Sequence, residues 1–468
     1  MKNSNILKIN NQYKNSILEK ENYFLSNSKN LNNDYNAWIN KNTINNEINT
    51  DHILNGIIYS LKDNITTSNI LTTGGSLFLK NYIPTHDSTV YNLLKNTGAN
   101  LLTKDNMDEF GLGGTGTFSA FGQLTNPIDK ERIVGGSSSG SSVMVKKDLV
   151  SFSIGTDTGD SIRKPASFLG IVGFKPSYGM ISRYGVYPYA PSMDHVGIIA
   201  KYITDIAIVF STLNKFDKKD LTSIQMNKEY DFNNLKPDKS KKIAIIKQSL
   251  DYMLDEEKKI FIDYLFQLKN DGFSITEVDF NQTLIEAIDP IYKIISYSEA
   301  NSCYSNLTGI TFGDDNNDYK NWKDLIIKNR TEKLGDQLKR RFVIGSYSII
   351  GENFEKIYVK SKKIRTLIID EINKILDQFD AYIIPGASRI APLLSDFKNN
   401  ISDSNFGDDL LQIANFAGLP SITIPAIEYL NNPLGINITS KNFNDETLLN
   451  IALAIEDFNI EKLVKNND

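Results

Sequence analysis

A single cysteine, three histidines and no arginine before residue 132 are the scarcities that constrain this 468-residue chain most. One cysteine, Cys303, excludes an internal disulfide framework and any zinc site built from several thiolates. It lies in an apolar, helix-like run over 294–307, which predicts a buried small side chain rather than a nucleophile. His52, His86 and His195 sit in no recognisable triad motif, so a Ser-His-Asp mechanism is disfavoured and each reads as a satisfied or solvated histidine. No run of about 18 apolar residues occurs, which predicts no membrane-spanning helix. Charge of either sign is not in excess: 51 basic against 56 acidic residues leave −5, which marks no nucleic-acid-coating surface but permits a local RNA contact. Internal repeats are absent.

What is present reads as a folded chain. Hydrophobic residues make up 40% and charged residues 23%, enough apolar surface to offset chain entropy. Asparagine supplies 16 of the first 50 residues, a bias that points to an A/T-rich genome rather than to a prion-like tract. The spacing of Tyr13, Ile17, Tyr23 and Leu25, followed by Tyr35, Trp38 and Ile39, predicts short helices with loosely held ends over 1–50. Beyond residue 53 short apolar strands alternate with helices. Strands are predicted at 57–61 (with Lys62 at the end), 100–102, 243–247, 273–278 and 381–384, and helices at 87–96, 255–270 and 352–379. The alternation predicts an α/β fold with a largely parallel or mixed sheet and helices on both faces. The polar stretch 227–242 reads as a surface linker, yet strands continue on both sides, so residues 1–468 are expected to form one large domain.

Two small-residue loops carry the chemistry. The first is Gly135-Gly136-Ser137-Ser138-Ser139-Gly140-Ser141-Ser142, and the second is Gly155-Thr156-Asp157-Thr158-Gly159-Asp160-Ser161-Ile162-Arg163, with a strand-like stretch at 149–154 between them. A compact unit of this kind presents two serines, Ser137 and Ser161, 24 positions apart. A serine hydroxyl needs a base and oriented oxyanion donors to act at neutral pH. Backbone N–H groups of Gly159, Asp160 and Ser161, ahead of a predicted helix, suit the donor role. With histidine so scarce, the base would be a lysine made neutral by burial, with a second serine relaying the proton. For either loop alone, an ordinary flexible connection is the competing explanation. A phosphate-binding loop is a weak one, because neither stretch ends in Gly-Lys-Ser/Thr.

Together the two loops resemble the amidase signature family, whose signature couples a Gly-Gly-Ser-Ser-Gly-Gly loop to Thr-Asp-Thr-Gly-Gly-Ser-Ile-Arg. The resemblance implies a large mixed twisted sheet covered by helices on both faces, and a Ser–cis-Ser–Lys triad. Carried over by motif, Ser161 is the nucleophile, Ser137 the bridging serine with a cis peptide bond, and Lys62, 75 residues earlier in Leu61-Lys62-Asp63-Asn64, the base. Lys104 belongs to a different block that borders the site. Asn106 to Phe110, Ser119 to Gly122 and Ser182 to Gly185 resemble the glutamine-hydrolysing branch of the family. That branch passes ammonia to a tRNA-amidating B subunit, in a heterotrimer with a small third subunit, for conversion of Glu-tRNA(Gln) to Gln-tRNA(Gln). The resemblance then implies no cofactor in this chain, ATP and Mg²⁺ in the partner, and tRNA contact mainly through the partner. It also implies a glutamine pocket of Tyr292, Arg341 and Asp408, where Arg341 would hold the substrate carboxylate and Asp408 its ammonium. Arg340 and Asp409 are the neighbours that take over if either match slips by one. Each of the three has a plainer alternative, a surface ion pair or a core tyrosine.

Two positions depart from the signature. Ser139 replaces a loop glycine, and Asp160 stands where the signature has glycine, directly before Ser161. A carboxylate there opposes a developing oxyanion, and the expectation is that it tunes the reaction rather than abolishing it. The alternative functions are a free-standing small-amide amidase and a non-catalytic scaffold subunit. Lys2, Lys8 and Lys14, with no acid before Glu19, and the biased composition fit the mitochondrial matrix, with a bacterial cytoplasm or a plastid as alternatives.

Overall fold

The computed structural model describes residues 3–13, 34–42, 50–313, 319–398 and 408–467, together with residues 19 and 22. Its described strands are β1 (Trp38–Lys41), β2 (Ile58–Lys62), β3 (Asn100–Asp105), β4 (Phe152–Asp157), β5 (Val172–Lys175), β6 (His195–Ala200), β7 (Lys242–Ile246), β8 (Ser274–Val278), β9 (Ala381–Pro385), β10 (Ser421–Tyr429) and β11 (Asn432–Ser440). They form one 11-stranded sheet in the order β1-β3-β2-β4-β6-β5-β10-β11-β9-β7-β8. The β2/β3, β2/β4, β7/β8 and β7/β9 pairs are parallel and the others antiparallel. This is the mixed sheet predicted from the alternation.

Side chains along the buried strands alternate between two apolar cores, as the two-residue period of a strand requires. Ile243, Ile245 and Ile383 join Phe261 and Leu448 on one face. Ala244, Ile246, Tyr382 and Ile384 join Ile291 and Ile368 on the other. Helices therefore cover both faces. The 16-residue helix Asp255–Asn270 matches its predicted span: Asp255, Glu256 and Glu257 sit in its first turn, where the helix dipole favours acids, and Phe261, Tyr264, Leu265 and Leu268 are buried. No described helix is long and apolar enough to cross a membrane.

Several local expectations are corrected. Trp38 and Ile39 belong to a strand rather than a helix: β1 lines the exposed edge of β3, whose N–H and C=O groups need partners. Asn5–Tyr13 is helical, but its start is held firmly, since Asp205 accepts from Ser4 Oγ, Asn5 N and Ile6 N. Ile17, Tyr23 and Leu25 lie outside the described residues. The helix predicted over 352–379 opens with a wide π-turn, Phe354–Val359, before Lys360–Leu376. Within the supposed linker Tyr230 and Leu235 are buried against the core. Cys303 is only partly buried.

Parallel pairing sets the site. Because β2, β3 and β4 run the same way, their C-terminal ends, with Lys62, Asp105 and Asp157, emerge at one edge, the usual location of ligand sites in such sheets. The helix Ser139–Lys146 connects β3 to β4 and brings the first serine loop to that edge. The helix Arg163–Leu169 follows the second.

Candidate active site

Lys62, the last residue of β2, is fully buried. Its Nζ donates to Ser137 Oγ at 2.7 Å, to Thr156 Oγ1 at 2.9 Å and to the Thr156 carbonyl at 3.3 Å. The Gly136-Ser137 peptide bond is cis. One residue on, the Ser138 N–H donates to the Ser161 carbonyl at 3.1 Å and Ser138 Oγ to the Thr156 carbonyl at 3.1 Å, so the two loops are stitched together around the lysine. Ser137 and Ser161 are both buried.

Burial lowers the Lys62 pKa to about 7, and the carboxylates Asp108, Asp157, Asp194 and Asp160 pull the other way without restoring it. Such an amine is part-neutral at physiological pH. Lys104 is also buried and lowered, to about 8, but its ammonium donates to the Ile65 carbonyl, Thr67 and Thr72 and faces Asp63 at 3.8 Å. It pins the chain that leaves β2 and does not reach the serines.

The second loop is braced from beneath. Arg163, fully buried, donates to both Asp157 oxygens at 2.9 and 3.1 Å, to the Gly159 carbonyl at 2.6 Å and to Asn415 Oδ1 at 2.6 Å. Burial alone would raise the Asp157 pKa; Arg163 and the Ile162 N–H override it and hold that carboxyl well below the usual range. With its carbonyl claimed by Arg163, the loop leaves the N–H groups of Gly159, Asp160 and Ser161 without an acceptor among the described residues. Three such donors beside a serine form a potential oxyanion site.

A cleft of about 590 Å³, open mouth included, opens over this loop, lined by Asp160, Tyr292 and Arg341 among others. A Cβ placed on Gly159 would meet the Tyr292 hydroxyl at 2.7 Å, so the tyrosine closes directly onto the loop. Burial raises the Tyr292 pKa well above its ordinary value and keeps the phenol neutral. Arg341 lies over the Tyr297 ring, 5.1 Å from its centroid. Asp408 begins a short 3₁₀ turn, Asp408–Leu411, next to the cleft residue Gln412; its side chain, like that of Asp409, lies outside the described residues. The structure thus brings Lys62, Ser137, Ser161, Gly159, Asp160, Tyr292 and Arg341 to one place. His195 is buried, with Nδ1 2.6 Å from the Met193 carbonyl.

A model of the Amidase family matches residues 23–449. The chain belongs to that family. This amidase is 48% identical over 418 residues to the A subunit of glutamyl-tRNA(Gln) amidotransferase from Mycoplasma genitalium, covering 86% of each chain. It is 45% identical to the protein of the same name from Mycoplasma pneumoniae, covering 87% of each. Among solved structures, the A subunit from Thermotoga maritima superposes with a TM-score of 0.81 at 30% identity, over 97% of this chain and 94% of that one. A peptide amidase from Stenotrophomonas maltophilia shares the fold at a TM-score of 0.78 and 23% identity, over 96% of this chain and 95% of that one.

Sequence reasoning missed several members of the site. Thr156 Oγ1 accepts from Lys62 Nζ at 2.9 Å and from Asn64 Nδ2 at 3.1 Å, which adds both residues to the lysine's surroundings. Asn415 and Arg163 brace the amidase loop from elements 252 residues apart, a pairing that only the fold reveals. Lys164 is a further member, although its four-residue spacing from Asp160 is visible in the chain as a helical ion-pair spacing.

Proposed function

We propose that this amidase is the glutaminase subunit of a glutamyl-tRNA(Gln) amidotransferase. The buried Lys62 Nζ–Ser137 Oγ contact beside the Ser161 loop carries the reading, and the names of its relatives support the substrate. Ser161 Oγ attacks the side-chain amide carbon of glutamine while its proton passes to Ser137, and the proton of Ser137 passes to neutral Lys62. The N–H groups of Gly159, Asp160 and Ser161 hold the oxyanion. The C–N bond then breaks, a proton returns along the same path to the leaving nitrogen, and ammonia departs. Water attacks the acyl-Ser161 ester by the same route and releases glutamate. Arg341 and Asp408 match the two charges of the amino-acid end, and Tyr292 packs against the bound substrate. These steps balance with the side chains and backbone of this chain, glutamine and water.

The ammonia goes to a tRNA-amidating B subunit, where ATP and Mg²⁺ activate the glutamate carried on tRNA(Gln), and a small third subunit completes the heterotrimer. For the compartment, composition supports the mitochondrial matrix, whereas the bacterial and archaeal relatives favour the alternative of a bacterial cytoplasm over a plastid. The test is ammonia release from glutamine by wild type, Ser161→Ala and Asp408→Ala, measured with and without the B subunit. Ser161→Ala is expected to lower kcat by at least about 10³-fold, and Asp408→Ala to raise KM for glutamine. Wild-type release that persists in Ser161→Ala removes the mechanism. Activity on other small amides that ignores Asp408 and Arg341 favours a free-standing amidase. Amidation of tRNA untouched by loss of Ser161 favours a scaffold.

A further inference from the structure

Asp160 sets a problem for the site: it is a carboxylate on the residue immediately before Ser161, buried at the cleft wall where negative charge develops during attack. A buried carboxylate with no counter-charge would oppose the oxyanion strongly, because little water is present to screen it. Lys164 answers it. It lies one turn along, in the first turn of the helix Arg163–Leu169, and its backbone N–H donates to the Asp160 carbonyl at 2.8 Å. Its ammonium forms an ion pair with Asp160 Oδ2 inside the cleft, where the two side chains are only 6% and 13% exposed. Both side chains line the cleft, so the pair belongs to the substrate chamber and not to the outer surface.

The other anions nearby are already engaged. Asp157 is held by Arg163 on the buried side of the loop, and Asp289, across the cleft, accepts from Lys293 at 2.7 Å. Asp194 accepts from Thr158 Oγ1 and the Tyr189 and Ala190 N–H groups, and Asp108 from the Gly114, Gly116 and Phe118 N–H groups. Asp160 is met by a cation instead, and that cation is Lys164. From this geometry we propose that Lys164 is a positioning residue for the reaction: it holds the Asp160 carboxylate as a neutralised pair, turned from the oxyanion, so that a loop carrying an acid before its nucleophile remains competent. Asp160 and Lys164 then act as one electrostatic unit. The inference rests on the reading of Ser161 as the nucleophile.

Two rates test it: steady-state glutamine hydrolysis, and covalent modification of Ser161 by a sulfonyl fluoride, which needs the nucleophile and its oxyanion donors but no glutamine. Lys164→Gln is expected to lower kcat and the modification rate by about tenfold or more, with KM for glutamine changed by less than about twofold. Lys164→Arg retains the charge and restores most of the rate. The decisive variant is Asp160→Asn in the Lys164→Gln background, which removes the unpaired carboxylate and is expected to return both rates to within about threefold of wild type. Asp160→Asn alone leaves Lys164 facing the oxyanion and is expected to raise the modification rate, which keeps the test alive should Lys164→Gln fail to fold. The inference is overturned if Lys164→Gln matches wild type, if the double variant stays as slow as Lys164→Gln, or if Asp160→Asn alone slows modification. Ammonia release that survives Ser161→Ala overturns the parent reading and takes this inference with it; loss in Ser161→Ala without rescue in the double variant overturns this inference alone.

Discussion

For Lys62 to accept a proton near neutral pH, its surroundings must make the ammonium costly, and burial at the end of β2 does so against the pull of four carboxylates. The sign of the pH dependence follows. Below about 7 the amine is protonated and has no lone pair for Ser137, and above it the amine is neutral. Hydrolysis is therefore expected to rise with pH through an apparent pKa near 7 and then level off, as a kcat/KM profile for glutamine will show. Lys62→Arg keeps the cation but cannot lose its proton, so the ascending limb should vanish with at least about a 10³-fold loss of kcat. A profile that stays flat in wild type would mean that another group is the base. Histidine is a poor replacement: burial lowers the His195 pKa well below its ordinary value, and its Nδ1 is already directed at a backbone carbonyl.

At the scale of elements, the serine loops owe their positions to close backbone contacts. Gly140, in the first turn of Ser139–Lys146, donates its N–H to the Asn106 carbonyl at 2.9 Å. A Cβ there would stand 2.2 Å from the Ala37 carbonyl oxygen and 2.5 Å from that of Asn106. The chain entering β1 and the segment after β3 thus clamp the helix that carries Ser137 and Ser138 at its start. Gly140→Ala is expected to cost about 1–3 kcal/mol through overpacking and to lower kcat as the loop shifts, measured by thermal unfolding and by the glutamine assay. An unchanged melting midpoint would show that β1 yields instead. Pairing with β3 explains why residues near Trp38 are extended: a helix there would leave the edge of β3, beside the serine loops, unpaired.

For the whole molecule, the sheet separates two cores that share β7 and β9. Ile383 and Ile384 are adjacent in sequence and buried on opposite faces. Each truncation to alanine is expected to cost about 2–5 kcal/mol. Because one sheet carries both cores, either variant should lower a single unfolding transition rather than split it in two, as calorimetry will show. Two separate transitions, only one of them moved by each variant, would mean that the two faces fold independently. The site depends on the same continuity, since Arg163 reaches from the loop after β4 to Asn415 and the Leu411 carbonyl, hundreds of residues away in the chain.

The amino-acid sequence by itself determined the chemistry and the class of fold. Apolar alternation marked most strands and the helix Asp255–Asn270, because burial on a sheet or helix imposes its period on any chain. The loop motifs singled out Ser137 and Ser161, and the scarcity of histidine pointed to a lysine as the candidate base. Local pattern could not say that Trp38 and Ile39 would pair with β3, since an edge is satisfied by whatever segment reaches it. Nor could it choose Lys62 over Lys104 on geometry: both are buried, and only the sheet order puts one against Ser137 and the other against Ile65. Tertiary structure also decided the surroundings of Asp160, which in the motif alone reads as a carboxylate that tunes the reaction. Burial with Lys164 makes it half of an ion pair, because charges that are one helical turn apart and shielded from water are felt by each other before they are felt by solvent.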